Sequence, residues 1–96
     1  MVLEHALLHV RCGEEQAFEE SLAKARPLIS VSPGFISMEV RPASEEAGTY
    51  LLLVQWSSID DHHEGFRTSE RYQAWRELLH HFYEPMPSVT YFGDPL

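Results

Sequence analysis

The stretch Thr49–Trp56 reads TYLLLVQW, and it decides the fold. It is an almost unbroken apolar run, short for a helix and of ordinary length for a strand. Because successive side chains of a strand point to opposite faces, this run places apolar groups on both of its faces. The pattern therefore predicts a strand in the middle of a sheet that is covered on both sides.

Strands are also predicted on either side of this segment along the chain. Phe35–Arg41 alternates after the turn signal SPG, with Ile36, Met38 and Val40 on one face. Val2–Val10 alternates as well, with Glu4, Ala6, Leu8 and Val10 on one face and Leu3, His5, Leu7 and His9 on the other. The segment Ser88–Phe92, which reads SVTYF, predicts a last strand.

Helical periodicity fills the two longer connections. Glu14–Ile29 carries an apolar stripe, and Pro27 is expected to kink this helix or end it early. Ser58, with Asp61 three residues later, predicts a capped short helix through about Phe66. A second helix is predicted from about Glu70 to Tyr83, with Thr68 and Ser69 as capping residues.

The resulting order, β-α-β-β-α-β, is that of a ferredoxin-like α+β fold with a four-stranded antiparallel sheet, and residues 1–96 form one domain. Its helices cover one face of the sheet. Apolar side chains on the central strand, together with Leu3 and Leu7, are left on the other face, which needs a cover of its own. A second copy of the same sheet is the simplest cover, so the sequence predicts a homodimer with facing sheets.

Charge and composition exclude several classes of function. Fifteen acidic residues against seven basic ones give a net charge of -8, which argues against binding to nucleic acid or to an anionic membrane. The apolar start of the chain is too short to span a bilayer and lacks a basic leader, so a cytoplasmic location is expected. Cys12 is the only cysteine, which excludes an intrachain disulfide, and we expect it to be a small buried residue.

The histidines do not predict a metal site. Adjacent residues on a helix point about 100° apart, so His62 with His63, and His80 with His81, fail as ligand pairs. His5 and His9 share a strand face, but their alpha carbons are roughly 13 Å apart. His80 and His81 are expected at a solvated or dimer-facing position, and the aromatic stripe of the last helix is expected in the core.

A pocket is predicted where the short helix interrupts the path from the apolar strand to the last helix. His62 and His63 lie in that segment, and Arg67 follows them. Arg67 could bind an anion there or form a surface salt bridge. His5 lies on an otherwise apolar strand face, where it could be an interface histidine or a polar group inside a pocket.

The sequence from Trp56 to the last strand, W-SSID-DHHEGFR-T-S-ERYQAWRELLHHFYEPMPSVTYF, resembles one branch of the antibiotic-biosynthesis monooxygenase (ABM) domain superfamily, the dimeric α+β barrel proteins. The helix EEQAFEESLAKARPLI and the SPGF turn also fit, so the likeness covers essentially the whole chain. The resemblance implies a dimer and, in the characterised enzymes, oxygenation of polyketide-derived aromatic rings by dioxygen without a metal or a flavin.

On this resemblance the chain is expected to be a cofactor-free monooxygenase acting on a small aromatic molecule and dioxygen. The implied roles are a base, His62 or His63; anion-stabilising donors, Arg67 and Tyr72; and substrate contacts, Trp56, Phe66, Trp75 and His5.

One departure from the family keeps other functions open. The quinone-forming enzymes carry an Asn near the pocket, and this chain contains no Asn. A non-catalytic dimeric domain that binds a hydrophobic metabolite is therefore the alternative hypothesis. Haem binding or degradation is a third, in which His5 or His9 would act together with His80.

Overall fold

The computed structural model describes residues 1–96 and contains four antiparallel strands in the spatial order β2-β3-β1-β4. The strands are β1 (Val2–His9), β2 (Phe35–Pro42), β3 (Thr49–Trp56) and β4 (Thr90–Phe92). Both helices lie on one face of this sheet. This is the ferredoxin-like arrangement, and the predicted fold class is confirmed.

The helical elements are α1 (Glu15–Ser30), a π-helical segment (Asp61–Phe66), α2 (Glu70–Leu79) and one 3₁₀ turn (His80–Phe82). The predicted capping bonds are present: Ser58 Oγ accepts the Asp61 N–H at 3.2 Å, and Ser69 Oγ accepts the Tyr72 N–H at 3.3 Å. The expectation for Pro27 was wrong in one respect, because α1 continues past it to Ser30. The turn after Pro27 lacks one backbone hydrogen bond, but Ile29 in that turn is buried in the core and holds it in place.

The core lies between the sheet and the helices and is built on the inner face of β3. Tyr50, Leu52, Val54 and Trp56 are buried there against the apolar stripe of α1. The residues between them on β3 face the other side of the sheet and are half-buried. The run TYLLLVQW is thus apolar on both faces, as its composition predicts.

The face predicted for β2 was wrong at its first two residues. A bulge between Phe35 and Ser37 shifts the register against β3. Because an extra residue is inserted there, Phe35 packs on the inner side against Trp56, at 5.9 Å between ring centroids. Ile36 is exposed instead of sharing a face with Met38 and Val40.

The sheet face without helices, the open face, carries both apolar and polar side chains. Its apolar members are Leu3, Leu7, Leu51, Leu53 and Phe92, as the register of the strands requires. Leu7 and Phe92 are 44% and 48% exposed.

None of the helices is both long enough and apolar enough to cross a bilayer. Cys12 is exposed in the turn before α1, so the expectation that it is buried was wrong.

Gly34 fixes the position of the π-helical segment relative to β2. Its φ of +82° is accessible to glycine and strained for other residues. A Cβ atom at this position would collide with the side chain of Asp61. The SPG turn therefore has to keep its glycine for the π-helical segment to pack where it does.

Candidate active site

A cavity of about 500 Å³ lies between the inner face of the sheet and the helices. Most of its wall is apolar, formed by side chains such as Leu8, Ile29, Leu52 and Trp75. The polar side chains that line it are Glu4, His62, His63, Arg67, Tyr72, His80, Tyr83 and Tyr91. An apolar cavity with a few converging polar groups is typical of a site for a small organic molecule.

Glu4 is the least expected of these groups, because it is a carboxyl group that is only 4% exposed. It points from β1 into the same layer as Ala6 and Leu8, and its Oε1 accepts a hydrogen bond from Trp56 Nε1 at 2.9 Å. Burial raises its pKa from 4.5 to about 7, although the Trp56 hydrogen bond and the charge of Arg67 act in the opposite direction. Glu4 can therefore gain or lose a proton near neutral pH.

The π-helical segment turns His62 and Phe66 towards the sheet. The Arg67 N–H bonds to the His62 carbonyl oxygen at 3.0 Å, five residues back, as in a π-helix. Both His62 and Phe66 are buried as a result, and their rings stack at 6.4 Å between centroids. The indole of Trp56 packs beside them, 5.3 Å from the His62 ring and 6.0 Å from the Phe66 ring.

His62 connects Glu4 with Tyr91. Its Nδ1 lies 2.5 Å from the Tyr91 hydroxyl, and its Nε2 lies 3.4 Å from Glu4 Oε1. Burial, assisted by the positive charges of Arg67 and His63, lowers the pKa of His62 to about 4. The imidazole is therefore neutral at pH 7, and its contact with Glu4 is not a salt bridge at that pH.

This geometry fixes how protons are distributed along the three side chains. With Glu4 ionised, the N–H of His62 lies on Nε2 and faces the carboxylate, while Nδ1 accepts from the Tyr91 hydroxyl. Burial also raises the pKa of Tyr91, so its hydroxyl keeps its proton. A proton reaching Tyr91 can thus pass through His62 to Glu4 by a shift of the imidazole tautomer.

The structure brings most of the predicted site residues to one cavity. His62, His63, Arg67, Tyr72, Phe66 and Trp75 all line it, and Trp56 is fully buried behind His62. His63 is exposed, and its Nδ1 lies 2.9 Å from Glu64 Oε1. His5 does not reach the cavity, because it lies on the open face, where it contacts Phe92 at 5.7 Å between ring centroids.

The histidines suggested for haem are separated by the sheet. His5 and His9 lie on the open face, whereas His80 lines the cavity on the helix side. They cannot act together in one pocket of a single chain. No three His, Cys, Asp or Glu side chains are arranged to hold a metal ion.

A family model described as antibiotic biosynthesis monooxygenase matches residues 1–78. The chain belongs to this family. It is also 48% identical over 94 residues to the uncharacterised protein YczJ of Bacillus subtilis, a match covering 98% of this chain and 99% of YczJ.

Solved structures agree with this assignment. A Bordetella bronchiseptica protein, named for the same antibiotic biosynthesis monooxygenase family, superposes with a TM-score of 0.94 at 32% identity, covering 99% of this chain and 97% of that one. SnoaB of Streptomyces nogalater, described as a cofactor-independent oxygenase, has a TM-score of 0.85 at 15% identity, covering 99% of this chain and 93% of its own. At that identity the likeness to SnoaB is one of fold.

Two residues of this candidate site were not singled out from the sequence. Glu4 shares its strand face with Ala6, Leu8 and Val10, and an acidic residue on an otherwise apolar face was the available signal. Tyr91 reaches the site because it is the direct neighbour of Glu4 in the pairing of β4 with β1. That register joins the two ends of the chain and has no local signature in the sequence.

The opposite pKa shifts predict an unusual dependence of stability on pH. The raised pKa of Glu4 stabilises the fold below about pH 4.5, and this contribution is lost as the pH rises to about 7. The lowered pKa of His62 stabilises the fold above about pH 6.5, and this contribution is lost as the pH falls to about 4. Between pH 4.5 and 6.5 the native protein holds one proton on Glu4, the unfolded chain holds it on His62, and the two contributions cancel.

Single substitutions should remove this cancellation. In Glu4→Gln the free energy of unfolding, relative to the wild type, is expected to rise with pH across this window by roughly 3 kcal/mol. In His62→Asn it should fall with pH by a similar amount. Urea denaturation at pH 4.5, 5.5 and 6.5 measures both slopes, and parallel curves for the wild type and both variants would contradict the assignment.

Proposed function

We propose that the chain is a cofactor-independent monooxygenase that oxidises a small aromatic, polyketide-like compound with dioxygen. The observation that carries this proposal is the series of contacts from buried Glu4 through buried His62 to half-buried Tyr91, which opens on a largely apolar cavity. The cavity volume of about 500 Å³ lies within the range of small-molecule sites, roughly 300–1,000 Å³. The fold likeness to SnoaB supports the same reaction class.

The chemistry needs little beyond what these residues offer. An electron-rich phenol or anthrone, once deprotonated, can itself reduce dioxygen, so the protein has to supply a base, donors that stabilise the anion, and a cavity with little water. A base works best when its pKa is close to the working pH. Glu4, with a pKa of about 7, meets that requirement better than His62, whose pKa is about 4.

We propose that the proton removed from the substrate reaches Glu4 through two other side chains, those of Tyr91 and His62. The Tyr91 hydroxyl accepts the proton from the substrate and passes its own to His62 Nδ1, and the Nε2 proton then moves to Glu4. The 3.4 Å between Nε2 and Glu4 Oε1 is long for a hydrogen bond, and such contacts shorten when substrate binds. In this scheme His62 carries the proton without storing it, because its imidazole is neutral before and after.

The oxidation balances without any further reductant. The substrate anion transfers one electron to dioxygen, and the resulting radical pair combines to a peroxide anion at the ring carbon. The proton held on Glu4 returns through His62 and Tyr91 and converts this anion to a hydroperoxide. Loss of water then converts the former CH₂ group to a carbonyl. One oxygen atom enters the product and the other leaves as water, so an anthrone becomes a quinone.

The other residues lining the cavity hold the anion and the ring. The Arg67 guanidinium has no ion-pair partner in the chain and can stabilise the negative charge that forms on the substrate oxygen. Tyr72 adds a hydroxyl donor. Phe66 and Trp75, whose rings meet edge to face at 5.8 Å, offer flat apolar walls to a planar ring system.

Oxygen uptake with anthrone tests the proposal. The purified protein should raise the rate of uptake above the spontaneous oxidation of anthrone, and a metal chelator should not change that rate. With isotopically heavy dioxygen, the quinone product should carry one labelled oxygen atom. If no anthrone or quinol in a varied panel causes uptake while ligand binding persists, the metabolite-binding alternative replaces the enzyme.

We further propose that the protein is a homodimer whose open faces pack together. The observation behind this is the set of five apolar side chains on the face without helices, centred on β1 and β3. Such an apolar surface on a lone protomer would be in contact with water. A symmetric contact would bring the same apolar side chains of both protomers together and remove them from water.

A further inference from the structure

An open groove continues the cavity outwards along α2. It is lined by Arg67, Tyr72, Gln73, Arg76, Glu77, His80, His81 and Met86. Four of these residues, Arg67, Tyr72, His80 and Met86, also line the cavity. A ligand too large for the cavity would therefore extend into this groove.

The groove carries positive charge that the protein does not neutralise. Arg11 and Arg41 form ion pairs, and Arg26 and Arg71 donate hydrogen bonds within the chain. The side chains of Arg67 and Arg76 make neither kind of contact. In a chain with fifteen acidic and seven basic residues, two arginines free of carboxylate partners at the mouth of one cavity are a marked departure from the average charge.

Nearby acidic groups do not compensate for these charges. Glu77 is the only acidic residue that lines the groove, and it forms no ion pair with either arginine. The positive field extends inwards, since Arg76 and Arg67 both contribute, after burial, to the lowered pKa of His80. The Arg67 charge acts in the same way on His62 and Glu4 at the end of the cavity.

We propose that the substrate is an aromatic acid whose oxidisable ring lies in the cavity and whose carboxylate lies in the groove against Arg76, which leaves Arg67, shared by groove and cavity, for the oxygen on the ring. This inference rests on the proposed function and names its substrate class. Guanidinium groups match the planar geometry of a carboxylate through paired hydrogen bonds. Placing the charge in the groove keeps it away from Glu4, where a second carboxylate would be repelled.

Binding of unreactive ligands tests the inference without any turnover. Anthraquinone-2-carboxylate and its neutral carboxamide differ only in the charged group, and quenching of the fluorescence of the two tryptophans, Trp75 at the cavity wall and Trp56 behind His62, reports their binding. We expect the carboxylate to bind at least about tenfold more tightly than the carboxamide. The difference should shrink in high salt, because both arginines are exposed.

Substitution of Arg76 assigns the effect to the groove. Arg76→Ala should remove most of the preference for the carboxylate, and Arg76→Lys should keep part of it. Lys24→Ala is the matched control, since it removes an unpaired positive charge from α1 and should leave the preference unchanged. Anthraquinone-2-sulfonate distinguishes a site for carboxylates from a site for any anion. If the sulfonate binds as tightly as the carboxylate, the site accepts anions in general and the assignment to a carboxylate is overturned.

Three further results would overturn the inference: equal binding of acid and amide, a preference that survives in Arg76→Ala, or no binding of either ligand at millimolar concentration. Failure of the proposed function has a different signature. In that case the carboxylate preference persists while no anthrone or quinol, acidic or neutral, consumes oxygen. If the protein consumes oxygen but shows no preference for acidic ligands, the carboxylate site in the groove is contradicted and the proposed function stands.

Discussion

Replacing Glu4 by Gln is expected to lower the kcat for oxygen uptake by about 10²–10⁴-fold, the range spanned by the loss of a general base. Glutamine keeps the size of the side chain and an oxygen that can accept the Trp56 N–H, but it cannot take up a proton. Substrate contacts elsewhere in the cavity are unchanged, so KM should change little. In the wild type, kcat/KM should rise with pH through an inflection near pH 7, where Glu4 ionises.

Two further variants separate the role of Glu4 from a general loss of structure. Glu20→Gln, on the exposed side of α1, removes one carboxylate and should leave kcat and the pH profile unaltered. Tyr91→Phe removes the hydroxyl that contacts His62 and should lower kcat in the same direction as Glu4→Gln. Retention of more than half of the wild-type kcat in a folded Glu4→Gln protein would exclude Glu4 as the proton acceptor.

The second large effect is expected at the open face. Leu53 lies on β3, in the middle of the sheet, between His5 on β1 and Glu39 on β2. Leu53→Glu would bring two unpaired carboxylates, one from each protomer, into the proposed apolar contact. We expect the dissociation constant of the dimer to rise by more than about 100-fold, which corresponds to roughly 3 kcal/mol.

Light scattering at micromolar concentration measures this change directly. The wild type should have the mass of two chains and Leu53→Glu the mass of one, with circular dichroism confirming that the variant is folded. Leu7→Glu, on the neighbouring strand, should act in the same way, whereas Val31→Glu, at an exposed apolar residue after α1, should remain dimeric. A wild-type protein that is monomeric at this concentration would refute the proposed dimer.

The sequence predicts the fold well wherever local patterns are strong. The bounds of β3 agree with the apolar run Thr49–Trp56, and the capping side chains of Ser58 and Ser69 form the bonds expected of them. The errors arise where a single residue changes the geometry. The bulge before Ser37 reverses the side of Phe35, and the last turn of α1 continues past Pro27 with Ile29 buried against the core.

The sequence names part of the candidate site, and the absence of the other part has a physical cause. His62, Arg67 and Tyr72 lie close together along the chain. Their presence around one cavity could therefore be predicted from the helices expected in that segment. Glu4 and Tyr91 belong to strands that pair across almost the whole chain. Their approach to His62 depends on strand register and on the π-helical turn, and neither is readable from a short stretch of sequence.

The π-helical turn also makes the site sensitive to chain length. A π-helix bonds residues five apart, whereas an α-helix bonds residues four apart, so deleting Gly65 would allow Asp61–Phe66 to wind as an ordinary helix. His62 and Phe66 would then be three residues apart, and residues three apart on an α-helix still lie on one face. In a homologous chain that lacks this residue His62 would stay on the buried side of the helix, so its exact contacts with Glu4 and Tyr91, rather than its burial, depend on the π-helical turn.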